Sequence, residues 1–177
     1  MFWVRVRFIA CMTLGAVLPA VGQGVLHFEA PFQWISLDIE MESEVAYFSL
    51  PRAVGDPEDG ELFVYYFGSN DGIIEENLER WTNQMLQPDE RLSSDVATTT
   101  SFEVANMAIT VLDVPGIYAA EVQVGSAMRY YKRGYKLLVA VVETPTGPYF
   151  FKMTGPGRTV SEHESRFNAL LASVSFD

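Results

Sequence analysis

Residues 136–176 read KLLVAVVETPTGPYFFKMTGPGRTVSEHESRFNALLASVSF, and the rest of the chain is interpreted around them. Val139, Val141, Val142, Tyr149, Phe150 and Phe151 fill two runs that bracket Thr146-Gly147. β-branched and aromatic side chains suit a pleated surface, and a glycine-containing pair between two such runs marks a hairpin turn. Gly155-Pro156-Gly157 reads as a strand-to-helix turn, and beyond it the period changes. Val160, His163, Phe167, Leu170, Leu171 and Val174 recur at the 3.6-residue spacing of a helix with one apolar face. Thr159 and Glu162 stand three apart, the spacing of a capping box, which predicts a helix capped at Thr159. The chain is expected to close with a hairpin covered by a helix.

The opposite end has another character. Arg5 and Arg7 precede an apolar run from Phe8 to Val21, and Ala20-Val21-Gly22 supplies the small residues that signal peptidase reads. Residues 1–22 are expected to be a signal peptide, and the run is shorter than the roughly 20 residues of a membrane span. Cys11 lies at the start of that run, whereas a lipidated cysteine belongs at its end, so lipoprotein anchoring is the weaker reading. The remaining 155 residues (177 less 22) suffice for one domain, 23–177. Cleavage removes two arginines and no acid, moving the net charge from −11 to −13. An acidic surface of that size opposes nucleic acid and anionic membranes as partners. Cys11 is the single cysteine, so the mature chain is expected to lack a disulfide, a thiol nucleophile and a thiolate metal site. The expected location is the periplasm or the exterior.

Between these ends, Gly24–Ala30 reads as an opening strand. Ile35, Leu37 and Ile39 alternate with Ser36, Asp38 and Glu40, the period of a half-buried strand. Glu61–Phe67 (ELFVYYF) is the most strand-like window, and its continuous apolar run predicts a central place. Ile73–Leu86 is predicted helical, with Asn70 or Asp71 as cap and Ile74, Asn77, Leu78, Trp81 and Met85 as its inward stripe. Gln87–Thr100 is polar and predicts a surface loop. Ala105–Leu112 and Ile117–Val124 predict a hairpin turned at Asp113-Val114-Pro115-Gly116, and Gly125–Gly134 a second loop.

Several of these pieces occur together: Asn77-Leu78-Glu79-Arg80-Trp81 with Gln84 after a Gly-rich turn, Leu112 to Tyr118 (LDVPGIY), Phe151 to Pro156 (FKMTGP), and a closing helix with a Ser-Phe tail. In this the chain resembles a group of uncharacterised bacterial exported proteins and, more distantly, the PsbP-like α/β/α sandwich. The resemblance implies an α+β fold, an antiparallel β-sheet flanked by two main helices. It implies no chemistry, because proteins of that fold bind different partners.

Candidate site residues fall in two groups. Asn77, Arg80 and Gln84 form the first; asparagine is a poor helix former, so Asn77 either bonds nearby backbone or belongs to a polar site with the other two. Arg129, Lys132, Arg133 and Lys136, interleaved with Tyr130, Tyr131 and Tyr135, form a basic tract in an acidic chain. Arginine and tyrosine are enriched at interfaces, which makes Arg129–Arg133 a candidate partner surface. Trp81 reads as a core anchor. His27 and His163 read as ordinary boundary groups, and Asp56, Glu58, Asp59 and Glu61 lack the pattern of a calcium loop, so no metal or cofactor is expected. Lys152 is assigned to its strand. There is no Gly-x-Ser-x-Gly elbow. The function expected is therefore a non-enzymatic exported binding or accessory domain contacting a protein or a small polar ligand. The alternatives are a hydrolase-like enzyme around Asn77, Arg80 and Gln84, which needs a pocket gathering them, and a hydrophobe carrier, which needs an apolar cavity.

Overall fold

The computed structural model describes residues 24–70, 73–123 and 125–177; the proposed signal peptide with Cys11, and the candidate cap Asp71, lie outside the described residues. Short strands β1 (Leu26–His27) and β2 (Ile35–Leu37) lead into β3 (Glu44–Leu50) and β4 (Gly60–Tyr66). Helix α1 (Ile73–Thr82), β5 (Met85–Leu86), the single turn α2 (Ser93–Val96), β6 (Thr98–Val104) and β7 (Met107–Tyr118) follow. The chain ends with β8 (Lys132–Thr144), β9 (Gly147–Pro156), α3 (Gly157–Ala172) and β10 (Ser175–Phe176). One antiparallel sheet runs β2-β3-β4-β9-β8-β7, and the far edge of β7 is shared by β6 along its first half and β5 near its end. β1 and β10 form a separate two-stranded ribbon.

The β8–β9 hairpin lies at the middle of this sheet because both of its faces are apolar. Leu138, Ala140 and Val142 pack with Phe151, Met153 and the α3 residues Val160, Phe167, Leu170 and Leu171. Leu137, Val139 and Val141 point the other way, to Phe150 and to Trp81 of α1. Period-2 alternation with both faces dry reads as an unbroken apolar run, which is why the segment stands out. The result is an α+β sandwich with α1 on one face and α3 on the other. No helix among the described residues is long and apolar enough to cross a membrane.

Four expectations change. The predicted turn at Asp113–Gly116 is absent: β7 runs straight through it, and the hairpin turns instead at Ala105-Asn106, both at positive φ (49° and 63°). Pro115 is tolerated because β6 ends opposite Asp113 and β5 starts opposite Ile117, leaving no second neighbour there for the N–H it lacks. The loop predicted over Gln87–Thr100 contains α2 and the start of β6, an exposed edge strand whose residues give no apolar alternation to read. α1 stops at Thr82, and Met85 is buried on β5 rather than on a longer helix. The half-buried strand expected over Ile35, Leu37 and Ile39 is corrected: β2, at the sheet edge, is exposed throughout, Ile39 lies beyond its end, and the three side chains are 54%, 39% and 50% exposed.

α3 also starts three residues early, with Pro156 at the end of β9 rather than Thr159 as its N-cap, and with no side-chain cap from that residue. Thr159 lies inside the helix. Its amide and hydroxyl both donate to Asp56 Oδ2 (2.9 and 2.7 Å), and its oxygen accepts from the Ala53 amide. A carboxylate 103 residues away thus performs the capping expected of Thr159 and Glu162. His163 is buried in the same layer. An indole N–H can only donate, so the 2.8 Å bond from Trp34 Nε1 makes His163 Nδ1 an acceptor and leaves Nε2–H to donate to the Pro51 carbonyl at 2.9 Å. His27 instead pairs with Asp177 at the exposed end of the ribbon, so the two histidines serve separate contacts.

Candidate functional site

α1 covers only part of its face of the sheet. The uncovered part begins at the C-terminal end of the helix, where a pocket of about 590 Å³ opens between Trp81, Arg80 and Gln84 above, Tyr65, Tyr118 and Lys152 on the sheet below, and Arg129 at the rim. Trp81 roofs it and is 4% exposed. Its ring packs edge-on against Phe150 at 5.5 Å and over Tyr65 at 5.9 Å. Trp81 is thus a core anchor whose other side borders the pocket.

The first candidate group divides by role. Asn77 is buried, and its amide donates to the Ile73 carbonyl at 2.7 Å while its oxygen accepts from the Arg80 guanidinium. It bonds nearby backbone and aims Arg80, but does not line the pocket. Arg80 lies against Phe67 and Trp81, at 5.9 and 5.5 Å from the ring centres. Gln84 Oε1 accepts a 3.0 Å bond from Lys152 Nζ, and its backbone oxygen accepts from the Ala119 amide.

Lys152 is the residue that sequence reasoning passed over. It stands opposite Phe63 of β4 and Val139 of β8, on a strand whose neighbouring residues are buried and apolar. Burial lowers its ammonium to about 8, with the Arg80 charge acting in the same direction and Glu61 opposing. The available signal was a lone lysine inside YFFKMTG, at a position whose neighbours two residues away are buried. Around it, burial pushes the Tyr118 hydroxyl up to about 12 and raises that of Tyr65, so both rings stay neutral at ordinary pH.

The basic tract is split between the two faces. β8 carries a bulge where Gly116 pairs with Tyr135 but Tyr118 pairs with Lys132, and Gly134 takes the positive φ (69°) that the irregularity requires. Lys132 consequently lies on the same side as Tyr135, between the Tyr130 and Tyr135 rings, and bonds Glu58 at 2.8 Å. Hydrogen bonds from Lys132 and Tyr135 hold the Glu58 carboxyl below its usual range. Tyr130 stacks on Tyr118 beside the pocket. Arg129 donates to the Ala119 carbonyl at 3.0 Å and lies 3.6 Å from Glu121. Tyr131 and Arg133, one against the other, border a second pocket of about 810 Å³ near the start of α3.

That second pocket is larger, and its lysine is ion-paired. Lys136 there bonds both Asp113 (2.8 Å) and Glu164 (3.2 Å). Burial alone would lower its ammonium, but the two carboxylates prevail and raise it. Asp113 Oδ1 is buried without a hydrogen-bond partner. In the α1 pocket the balance is reversed: neither Arg80 nor Lys152 has a carboxylate within ion-pair distance among the described residues. Two cations thus stand on an aromatic wall without an ion-paired carboxylate, in a pocket that Glu121 also lines and in a chain of net charge −11. Among the described residues, no three His, Cys, Asp or Glu side chains are grouped to hold a metal ion.

No protein-family model matches the sequence, and no curated protein matches it. Solved structures of similar shape include the cyanobacterial PsbP protein of Synechocystis, with a TM-score of 0.48 and 12% identity over 93% of this chain and 99% of that one. Another is a Pseudomonas aeruginosa protein of unknown function described as a candidate regulator, with a TM-score of 0.47 and 11% identity over 83% and 94%. Likeness at this level assigns neither a family nor a function.

Proposed function

We propose that this chain is an exported, PsbP-like, non-enzymatic binding or accessory domain, folded as one unit over 23–177, that takes a small anionic ligand in the pocket between α1 and the sheet. The observation that carries the reading is the convergence of Arg80 and Lys152, neither with a carboxylate partner among the described residues, on a pocket walled by Trp81, Tyr65 and Tyr118. Removing a carboxylate from water is costly, and cations already held in place by the protein offset that cost. Asn77 and Gln84 do the holding, one for each cation. The inward turn of Asn77 favours recognition over a reaction centred on Asn77, Arg80 and Gln84. The two cations disfavour a wholly apolar cargo. Export, and with it a periplasmic or external location, rests on the basic and apolar N-terminus.

The test is a titration of the protein with benzoate, followed through tryptophan emission. Trp81 roofs the pocket, so the reading expects a saturable change that weakens as salt rises and is lost in Arg80→Gln. A linear, unsaturable response that is identical in wild type and Arg80→Gln would defeat it.

A further inference from the structure

The chain has three lysines, Lys132, Lys136 and Lys152. The first two are ion-paired, Lys132 with Glu58 and Lys136 with Asp113 and Glu164. Lys152 is held differently. Its Nζ bonds an amide oxygen, Gln84 Oε1 at 3.0 Å, and lies 5.6 Å from the centre of the Trp81 ring. A carboxylate partner would favour the ammonium, whereas an amide oxygen accepts an N–H from the charged and the neutral amine alike. Lys152 also sits on a strand paired on both sides, which fixes its backbone, and the bond to Gln84 places its amine in the pocket.

We propose that Lys152 is a covalent attachment site, whose amine condenses with the carbonyl carbon of a small 2-oxo carboxylic acid while Arg80 receives the carboxylate. The proposal rests on the anion pocket argued above and names its ligand class. The ammonium first gives a proton to solvent, and the freed lone pair forms the C–N bond as the C=O π electrons move onto oxygen. The resulting carbinolamine loses that oxygen as water and becomes an imine. Amine and ketone give imine and water, with no oxidation or reduction, and hydrolysis is the reverse. The step needs a neutral amine, and two conditions that supply one are present: burial, and a second cation in Arg80 that opposes the ammonium. The other charged group acting on Lys152 is Glu61 of β4, which works the opposite way but lies beyond ion-pair distance. The phenol of Tyr118 faces the same pocket from β7.

The experiment incubates the protein with pyruvate and cyanoborohydride near pH 8 and maps the modified peptides by mass. Acetone, which has the carbonyl without the carboxylate, is the second arm. Lactate, which has the carboxylate without the carbonyl, is added as competitor in the third. Among the lysines, the expected result is one reduced adduct, on Lys152, formed at least about tenfold faster than on the ion-paired Lys132 or Lys136. Lactate should slow it, acetone should label Lys152 more slowly than pyruvate, and Lys152→Arg should abolish it. The wild-type peptide map decides the matter even where that variant fails to fold. Labelling spread evenly over the three lysines, or none at all, overturns the proposal. If labelling is absent while lactate still changes tryptophan emission saturably, the anion pocket stands and the covalent step alone falls. If lactate also has no effect, both fall.

Discussion

Replacing Trp81 by alanine perturbs the fold and the pocket together, and its cost can be worked from the packing. A buried tryptophan removes roughly 200 Å² from water, worth about 5 kcal/mol at about 25 cal/mol per Å². Alanine recovers part of this, and measured costs for truncating buried aromatic residues are about 3–5 kcal/mol. Trp81 borders an open pocket on one side, so Arg80 and Lys152 can relax into part of the space. That places the expected loss near the lower end, about 3–4 kcal/mol, including roughly 0.5–1 kcal/mol for a cation–ring contact. Against a total of about 5–15 kcal/mol the variant should still fold, with its urea midpoint clearly lowered and its m-value unchanged. Equilibrium urea unfolding followed by far-UV circular dichroism reads both quantities. A loss below about 1 kcal/mol would refute the reasoning, because it would mean that the ring is not wedged between α1 and the sheet.

Further outcomes follow from the same contacts. His163→Leu strands the Trp34 indole N–H and the Pro51 carbonyl and should cost about 2–4 kcal/mol in urea unfolding; a cost within about 0.5 kcal/mol would contradict the tautomer assigned to His163. Asp56→Ala should lose about 1–2 kcal/mol as the amide of Thr159 loses its acceptor, whereas Glu162→Ala should change stability little; the reverse order would restore the local capping box. The Lys152 ammonium is depressed in the folded state, so over the window from about 8 to its ordinary value near 10.5 the unfolded chain binds more protons and stability rises with pH. Tyrosines with raised values act in the opposite direction toward higher pH, so the informative quantity is wild type minus Lys152→Met across that window. An equal pH slope in the two proteins would show that Lys152 is solvated.

The parts of the fold legible in the sequence are those where local pattern and tertiary environment agree. β8 and β9 are dry on both faces and read as apolar runs; α3 packs one face and reads as a stripe; Trp81 keeps register with the other residues α1 buries. β6 is nearly invisible to the same logic because its first four residues are Thr and Ser, and only Phe102 and Val104 at its end are apolar. Pro115 reads as a turn because nothing local reveals that β7 lacks a second neighbour at that point. The cap of α3 comes from Asp56, far away in sequence, so the spacing of Thr159 and Glu162 pointed to a bond the fold does not use. The candidate site was half visible. Arg80 and Gln84 are visible as polar residues at and just beyond the end of an amphipathic helix, and the tract is conspicuous by its charge. Its division between two faces depends on the irregularity at Gly134, and the part played by Lys152 depends on which strands flank β9.

On the proposed reading, the pocket beneath Trp81 receives anions. Mapping benzoate-induced shifts in the ¹⁵N–¹H spectrum of the full chain tests it most directly. Anion binding there should give saturable shifts at the Trp81 indole N–H, the Gln84 side-chain amide and the amides of Arg80 and Lys152, reduced in Arg80→Gln. Shifts confined instead to Tyr131, Arg133 and the first turn of α3, or no saturable shift anywhere, would contradict it.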